Sequence, residues 1–474
     1  MELDEYALLD GIALRDLIKT GEVSAAEVHE TARAAILSVN DQLNALAFPL
    51  FDKPLDHDPS GPFGGVPMLL KDAGEVAEGV PFSVGSRFFD GLISRHDAHI
   101  MRRFRAAGLA ALGSTNVPEM MIAFATESRL HGITRNPWDL DRGVGGSSGG
   151  SAALVAAGAV PIAHANDGAG SIRIPASSCG LVGLKPTRGR VPLGPGAWEP
   201  ALGVAYEFAL ARSVRDVAGI LDAVHGTASG EKYSAPQPLR SYVDEIELAA
   251  PRLRIAFTAQ SWLGTAVDPQ VELALTTVAH KLSALGHDLE PLGPAIDGEK
   301  IIEFYTVGST MMMVGAMAGM PDRVSADYLE AMSLQHWHEA QTLTALDLNR
   351  AFGAANELSR TVGSFLDDWD LLMTPTLGRL PAPHGSMPYD DPAQNSESWM
   401  RTIMEHGPFT ALFNVTGQPA ISLPLAESDE GLPIGIQVVA PFGREDLLLR
   451  LAHQLEREMP WTGRRPAVWA GRPS

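Results

Sequence analysis

The stretch that most constrains this chain runs from Arg142 to Thr187 and is dense in Gly, Ser and Ala. Glycine loses more backbone entropy on folding than any other residue, so a segment that merely filled a core would have no reason to hold so many. A close approach of the backbone to a ligand would require them. The stretch also places two serines, Ser147 and Ser171, 24 residues apart (171 minus 147) on glycine-rich turns. Both are candidate functional groups.

Although 474 residues would suggest about three domains, large α/β enzymes often exceed that guideline as one unit. We expect a single domain over 1–474. Within it we expect a catalytic core at about 60–190, a variable substrate-side segment at about 227–400, and C-terminal sheet strands at about 369–441. The composition, 45% hydrophobic and 20% charged, is ample for a large core.

The charge and cysteine content narrow the class of protein. A net charge of −21 disfavours a surface that binds the phosphate groups of nucleic acids or anionic lipids. This argues against nucleic acid or a membrane as partner. The single cysteine, Cys179, permits no intrachain disulfide, and we expect it to be a small buried hydrophobic residue. Since the start is acidic and no long apolar stretch follows, we expect a cytoplasmic protein.

Hydrophobic periodicity predicts alternating helices and strands. Residues 8–39 are predicted to be helical, with Ser24 and Glu27 forming a capping box, and an apolar run predicts a buried strand that ends at Lys71. The other predicted elements are strands at 109–115, 253–259, 288–292, 369–375, 419–425 and 433–441 and helices at 97–108, 213–226, 268–285, roughly 298–368 and 444–458. This α/β pattern fits one large mixed β-sheet covered by helices.

The small-residue run Gly168, Ala169, Gly170 and Ser171 indicates acyl transfer. Backbone N–H groups that converge beside a hydroxyl are what a developing oxyanion needs. Ser171 is then the candidate nucleophile. The alternative is a tight turn with a capping serine, because Ser and Gly are common in turns.

A serine nucleophile needs a base, and two arrangements compete. In the first, Lys71 is kept neutral by burial and takes the proton through Ser147 or Ser148, although a lysine at a strand end can also lie at the surface with its stem packed. In the second, Gly145, Ser147 and Gly149 form the G-x-S-x-G turn of a Ser-His-Asp hydrolase. The polar segment before Ser147 counts against this, since that turn follows an apolar strand.

We expect no metal and no organic cofactor. The closely spaced histidines, His96 with His99 and His336 with His338, have no cysteine companions and no H-E-x-x-H setting. The glycine-rich run also lacks the G-x-x-x-x-G-K-[ST] pattern of a phosphate-binding loop.

Methionine-rich segments are the candidates for the substrate pocket. Met120, Met121 and Met312 are either adaptable core packing or the wall of an apolar acyl pocket. As a pocket wall they would suit an uncharged, fairly hydrophobic acyl group.

The motifs GGVPMLLKD (64–72), GGSSGGS (145–151) and DGAGSIRIP with CGLVGLKPT (167–187) follow one another in this order. With the 24-residue spacing of their serines, they resemble the amidase signature family of serine amidohydrolases. WDLLMTPT (369–376) and FNVTGQPAISLPL (413–425) extend the resemblance over nearly the whole chain. It leaves roughly 227–365 unmatched in detail.

The resemblance implies a large mixed sheet with helices on both faces and a Ser-Ser-Lys triad. Ser171 would be the acyl-forming nucleophile, Ser147 the bridging serine on a cis peptide bond, and Lys71 the base. The backbone amides from Gly168 to Ser171 would form the oxyanion hole. Ser148 would orient Lys71.

Asp167 and Arg173, which flank this run, are the remaining supporting residues that the resemblance implies. The chain departs from the family where Ala169 replaces a glycine of T-D-x-G-G-S, which is tolerable only if Ala169 keeps a negative φ. This variant, with TRNPW and GREDLLL, looks like the branch that contains hydrolases of aminohexanoate cyclic dimer.

The predicted activity is hydrolysis of a carboxylic amide through a Ser171 acyl-enzyme, with a small-molecule amide as substrate and a homodimer left open. The alternative is an amidotransferase-type subunit that releases ammonia from glutamine for a tRNA-linked complex. Against it, the chain is strongly acidic and carries Ile174 where such subunits usually have Gln. A non-enzymatic binding module is disfavoured because Ser171, Ser147 and Lys71 are all intact.

Overall fold

The computed structural model describes residues 1–196 and 199–471 and contains a mixed ten-stranded β-sheet. The strands are β1 Pro67–Lys71, β2 Ala110–Thr115, β3 Glu127–Ser128, β4 Gly132–Ile133, β5 Ile162–Asp167, β6 Val182–Lys185, β7 Tyr206–Ala211, β8 Arg254–Phe257, β9 Asp288–Pro291, β10 Leu371–Pro375, β11 Ala420–Glu427 and β12 Pro433–Val439. β3 and β4 form a separate two-stranded sheet.

The α-helices of the described residues are α1 Leu3–Leu8, α2 Gly11–Thr20, α3 Ala25–Leu43, α4 His99–Ala107, α5 Gly149–Ala156, α6 Arg173–Cys179, α7 Val214–Val224, α8 Tyr242–Ile246, α9 Pro269–Ala284, α10 Gly298–Met317, α11 Ala331–Ala340, α12 Ala345–Asp368, α13 Ser396–His406, α14 Ala411–Thr416 and α15 Glu445–Glu458. Short 3₁₀ turns occur at Arg87–Phe89, Glu119–Met121, Pro200–Leu202 and Pro321–Arg323. Among these described helices, none combines the length and the apolar character needed to cross a membrane.

The large sheet has the order β2-β1-β5-β7-β6-β11-β12-β10-β8-β9. Its two ends pair in parallel, and its middle, from β5 to β10, pairs antiparallel. The helices pack apolar faces against this sheet, so the predicted α/β fold with one large mixed sheet is confirmed. Cys179 is fully buried as predicted.

Most predicted elements lie within two residues of their predicted bounds, but two long helical predictions are divided. The segment 8–39 belongs to three helices. Asp10 caps α2 by accepting a hydrogen bond from the Ala13 N–H, and Gly21, with φ 76°, ends it in the left-handed conformation. The segment 298–368 likewise holds α10, α11 and α12.

The predicted capping box of α3 is only half formed. Ser24 Oγ accepts a hydrogen bond from the Glu27 N–H at 3.1 Å, as predicted. The Glu27 carboxylate, however, binds the terminal amino group of Met1 instead of returning to Ser24. An ion pair with the chain start has replaced the reciprocal hydrogen bond.

Candidate active site

Lys71 ends strand β1, buried with 1% of its surface exposed, and its amine contacts three side chains. Nζ lies 2.7 Å from Ser147 Oγ, 2.9 Å from Ser148 Oγ and 2.5 Å from Asn166 Oδ1. The structure therefore brings together Lys71, Ser147 and Ser148, all three of which the sequence predicts as site residues. Asn166 was not predicted.

The three partners of the Lys71 amine differ in whether they can donate a hydrogen bond to it. Asn166 Oδ1 can only accept a hydrogen bond. Ser148 donates its own hydroxyl hydrogen to the main-chain oxygen of Asn166 at 3.2 Å, so it also serves Lys71 as an acceptor. The Ser147 hydroxyl donates to no residue that the structure describes. Of the three partners, Ser147 is the one with a hydrogen available for a neutral amine.

The protonation of Lys71 depends on burial. Burial lowers the pKa of its ammonium group to about 7, although the carboxylates of Glu207, Asp167 and Asp72 act to raise it. A lysine with a pKa near neutrality is present partly as the free amine at physiological pH, which is the form that can act as a base.

The glycines around Ser147 are explained by backbone packing. A Cβ on Gly146 would lie 2.7 Å from the carbonyl oxygen of Ala125, and one on Gly150 would lie 2.5 Å from that of Ala45. The Gly146–Ser147 peptide bond is cis, as the family resemblance implies. The glycine density thus lets other backbone segments approach the start of α5 closely.

The Ser-His-Asp alternative does not fit this geometry. No strand of the described chain leads directly into Ser147, which instead precedes helix α5. Lys71 is the hydrogen-bond partner of Ser147, and no described histidine hydrogen-bonds to Ser147 or Ser171. The G-x-S-x-G match is therefore a consequence of a glycine-rich sequence.

The loop 168–171 has its carbonyl groups held on one side. Tyr305 Oη donates to the carbonyl oxygen of Gly168 at 2.8 Å, and Thr410 Oγ1 donates to that of Ala169 at 2.6 Å. Because the N–H of a trans peptide points opposite to its C=O, the following amide groups face away from Tyr305 and Thr410.

The next peptide of the loop is held in the same manner. The Ile174 N–H donates to the carbonyl oxygen of Gly170 at 2.7 Å, which turns the Ser171 N–H the opposite way. Among the described residues, none accepts a hydrogen bond from the amides of Gly168–Ser171, and none bonds to the Ser171 hydroxyl. Free amide donors beside a free hydroxyl can stabilise a developing oxyanion.

Ala169 can replace the family's glycine only if its φ is negative, and the structure meets this condition. Ala169 is absent from the described non-glycine residues with positive φ, so its methyl group causes no backbone strain. Gly170 is different, with φ 144° and a position where a Cβ would lie 2.4 Å from Thr410 Oγ1. The loop therefore needs glycine at Gly170 and accepts alanine before it.

Asp167 and Arg173 flank the 168–171 loop and form an ion pair with each other in the protein interior. Their closest charged atoms are 2.9 Å apart, and both side chains are fully buried. Burial acts to raise the pKa of Asp167, but Arg173 and the hydrogen bond from Asn414 outweigh it and hold that pKa at about 2. This ion pair fixes both ends of the loop.

The candidate pocket methionines lie in one hydrophobic cluster with Ala169. Met120 is buried, Met121 and Met312 are half-buried, and Met121 Sδ is 3.9 Å from Asn166 Nδ2. Met121 therefore lies next to a direct partner of Lys71. Their contact with substrate stays a prediction.

No group of three or more His, Cys, Asp or Glu side chains in residues 1–196 and 199–471 is arranged to hold a metal ion. A buried lysine, two serines and a row of free amide groups lie where the neighbouring strands β1 and β5 of the mixed sheet end. These groups suit a hydrolase of the acyl-transfer class.

Comparison with known proteins identifies the family. The chain belongs to the amidase family, whose model matches residues 16–449. It is 40% identical over 483 aligned positions to the 6-aminohexanoate-cyclic-dimer hydrolase of Paenarthrobacter ureafaciens, with 97% of this chain and 96% of that protein covered. The predicted family and the predicted amide hydrolysis are thereby confirmed.

Solved structures agree with this assignment. A structure of 6-aminohexanoate cyclic dimer hydrolase matches with a TM-score of 0.90 and 38% identity, covering 98% of this chain and 99% of that one. One subunit of the glutamyl-tRNA(Gln) amidotransferase from Thermotoga maritima matches with a TM-score of 0.77 and 23% identity, covering 99% of this chain and 98% of that one. The second likeness is one of fold alone.

Proposed function

We propose that this amidase works through an acyl-enzyme on Ser171, with Ser147 as proton relay and Lys71 as base. The observation that carries the proposal is the set of three partners around the Lys71 amine, of which only Ser147 has a hydrogen to give. A neutral Lys71 can therefore draw a proton along a single route.

In the acylation step, Ser171 Oγ bonds to the amide carbonyl carbon. Its proton moves to Ser147 while the Ser147 proton moves to Lys71. The carbonyl oxygen becomes an oxyanion that accepts hydrogen bonds from the amides of Gly168–Ser171. The C–N bond then breaks as the leaving nitrogen takes a proton back from Lys71 through Ser147, which releases an amine or ammonia.

Deacylation repeats the sequence with water in place of Ser171. Water attacks the ester carbon, its proton passes through Ser147 to Lys71, and the C–O bond to Ser171 breaks as Ser171 regains a proton. Lys71 ends each half of the cycle in its starting state, so no other base is needed.

For the substrate we propose a small uncharged or hydrophobic amide, linear or cyclic. Met121 Sδ lies 3.9 Å from Asn166 Nδ2, and Met120 and Met312 belong to the same hydrophobic cluster as Met121 and Ala169, which supports an apolar surface near the site. The cyclic dimer named for the relatives has two amide bonds and neither a free amine nor a free carboxylate. That chemistry suits such a pocket.

We also propose that the chain works as one domain in the cytoplasm and forms a homodimer, without nucleic acid or membrane as partner. The net charge of −21 supports the absence of both polyanionic partners. Sedimentation would measure the assembly.

The test is hydrolysis of 6-aminohexanoate cyclic dimer and of a set of p-nitroanilides. Ser171→Ala and Lys71→Met should each lower kcat/KM by about 10³-fold or more, whereas Ser283→Ala, on an exposed turn of α9, should leave it unchanged. Mass spectrometry of the trapped acyl-enzyme should place the acyl group on Ser171. An acyl group on Ser147, or full activity in Lys71→Met, would overturn the proposal, and a preference for glutamine would favour the amidotransferase alternative.

A further inference from the structure

Lys71 begins and ends a closed ring of hydrogen bonds. Its main-chain N–H donates to His164 Nδ1 at 3.3 Å, and His164 Nε2 lies 2.6 Å from Glu207 Oε2. The other carboxylate oxygen, Glu207 Oε1, accepts from Asn166 Nδ2 at 3.4 Å. Asn166 Oδ1 then accepts from Lys71 Nζ at 2.5 Å, which closes the ring.

The position of every hydrogen in this ring follows from donor chemistry. A main-chain N–H can only donate, so His164 Nδ1 is an acceptor, and in the neutral imidazole Nε2 carries the hydrogen that Glu207 accepts. An ionised carboxylate can only accept, so Asn166 must turn its NH₂ group toward Glu207. Its oxygen is thereby directed at Lys71.

The residues of this hydrogen-bonded ring lie on neighbouring strands of the large sheet. Asn166 on β5 is directly opposite Glu207 on the antiparallel strand β7. His164 precedes Asn166 by two residues and so points to the same face of β5, while β1, which carries Lys71, flanks β5 on its other side. Three adjacent strands thus supply the four side chains.

We propose that Glu207 is a positioning residue that, through Asn166, aims the Lys71 amine at Ser147. This inference rests on the proposed function, in which Lys71 is the base. A neutral amine has two hydrogens and one lone pair. Asn166 and Ser148 accept the two hydrogens, which leaves the lone pair for the Ser147 hydroxyl. Without Glu207, nothing in the ring prevents Asn166 from turning its NH₂ group toward Lys71.

Glu207 also acts on Lys71 through its charge. The ionisable groups that face Lys71 are Glu207 on β7, Asp167 at the end of β5, Asp72 just after β1, and His164. Asp167 already neutralises Arg173, whereas Glu207 has no lysine or arginine partner among the described residues. A negative charge beside Lys71 favours the ammonium form, so loss of Glu207 should make the lysine lose its proton at lower pH.

Glu207→Gln is the direct test because it removes the charge and keeps the size. We expect the acid limb of the kcat/KM against pH profile to move toward lower pH by about 1 unit. At the alkaline plateau, we expect kcat/KM to fall by about 10-fold, since the lone pair is no longer aimed. KM should change little. Glu290→Gln, an exposed carboxylate on the edge strand β9, is the matched control and should keep the wild-type profile.

Asn166→Asp gives a shift of opposite sign and keeps the proposal testable if Glu207→Gln does not fold. A carboxylate placed against Lys71 Nζ should move the acid limb toward higher pH by about 1 unit or more. A wild-type alkaline plateau in Glu207→Gln would overturn the positioning role. Unchanged acid limbs in whichever of the two variants fold would overturn the contact of this ring with Lys71, as would a Glu207→Gln limb that moves toward higher pH.

A measurement without substrate separates this inference from the proposed function. In protein labelled with ¹³C at lysine side chains, the Lys71 signal is the one missing from Lys71→Met, and its titration should move to lower pH in Glu207→Gln. If Ser171→Ala still hydrolysed amides, the proposed function would fail, and the titration would still decide the role of Glu207. A titration that stays at its wild-type pH would overturn the inference.

Discussion

Arg173 and Asp167 form an ion pair of 2.9 Å in which both side chains are fully buried. Arg173 also donates to Gln437 Oε1 at 2.7 Å and to the main-chain oxygen of Thr410 at 2.9 Å, while Asn414 donates to Asp167. The pair therefore joins the loop 168–171 to helix α14, which Thr410 precedes and Asn414 belongs to, and to strand β12, which holds Gln437. Removing one partner would leave a buried charge without compensation, which costs far more than the pair itself contributes.

Asp167→Asn should lower the free energy of unfolding by about 3–5 kcal/mol, the range for breaking a buried ion pair. Urea denaturation followed by circular dichroism would measure this change. Asp288→Asn is the control, because Asp288 pairs with Arg252 at the exposed surface, and it should leave the transition unchanged. Equal effects of the two substitutions would contradict the structural role of the buried pair.

The lowered pKa of the Asp167 carboxylate predicts that the folded chain loses stability in acid. The pKa of Asp167 is about 2 in the folded chain, against about 3.9 for an unperturbed aspartate. A depressed folded pKa stabilises the fold above the unfolded value and loses that contribution as pH falls toward 2. The difference corresponds to about 2–3 kcal/mol. Unfolding free energies measured from about pH 5 downward should fall less steeply in Asp167→Asn than in wild type.

Activity should rise with pH through neutrality. Burial holds the pKa of Lys71 at about 7, and the free amine is the form that accepts a proton. The plot of kcat/KM against pH should therefore have an acid limb with its midpoint near that pKa and a plateau above it. An acid optimum, with activity falling as pH rises through 7, would contradict a neutral lysine base.

Sequence reasoning recovered the parts of this site that are local in the chain. The run from Gly168 to Ser171 and the strand-end Lys71 are each visible as short patterns. The sequence patterns do not identify Asn166 and Glu207, because the contact between these two residues depends on the register of β5 against β7. The periodicity predicts neither strand. A single glutamate within the apolar segment YEFALA (206–211) was the available signal.

The periodicity does not predict where the helical segment 298–368 divides into α10, α11 and α12. Periodicity marks apolar faces, and α10, α11 and α12 all present one, so 298–368 was predicted as one helical stretch. Breaks between them are set by caps, such as Thr344, whose side chain and Asp347 form a capping box at the start of α12. Such caps are short polar patterns that are also common in turns.

Gly170→Ala should abolish most activity while the chain still folds. The new methyl group would lie 2.4 Å from Thr410 Oγ1 and at a φ of 144° that an L-residue rarely adopts. Thr410 would be pushed from the Ala169 carbonyl that it holds, and the amides of the loop would turn. We expect kcat to fall by about 10²-fold or more.

Gly353→Ala is the matched control for this substitution. Gly353 lies inside helix α12, and a Cβ there meets nothing within 4 Å. It should leave kcat unchanged and raise the free energy of unfolding by about 0.5–1 kcal/mol, because glycine is a poor helix former. A normal kcat in Gly170→Ala would show that the loop amides do not contribute to the rate.

Glu330 and Glu119 are two buried carboxyls in contact through the backbone, since the Glu330 N–H donates to Glu119 Oε1 at 2.7 Å. Burial, and then the charge of Glu119, raise the pKa of Glu330 to about 8. An acid whose folded pKa lies above its unfolded value destabilises the fold as it ionises. The free energy of unfolding should therefore decline as pH rises from about 4.5 to 8.

Glu330→Gln should remove this decline. The Gln Oε1 atom can still accept the hydrogen bond that the Arg129 N–H now gives to Glu330 at 2.7 Å. We expect the thermal midpoint of the variant to exceed that of wild type at about pH 9 and to match it at about pH 5. Glu303→Gln, at an exposed position on α10, should leave both midpoints unchanged. A Glu330→Gln variant that is less stable at the higher pH would mean that the ionised carboxylate is compensated, and the raised pKa would then be wrong.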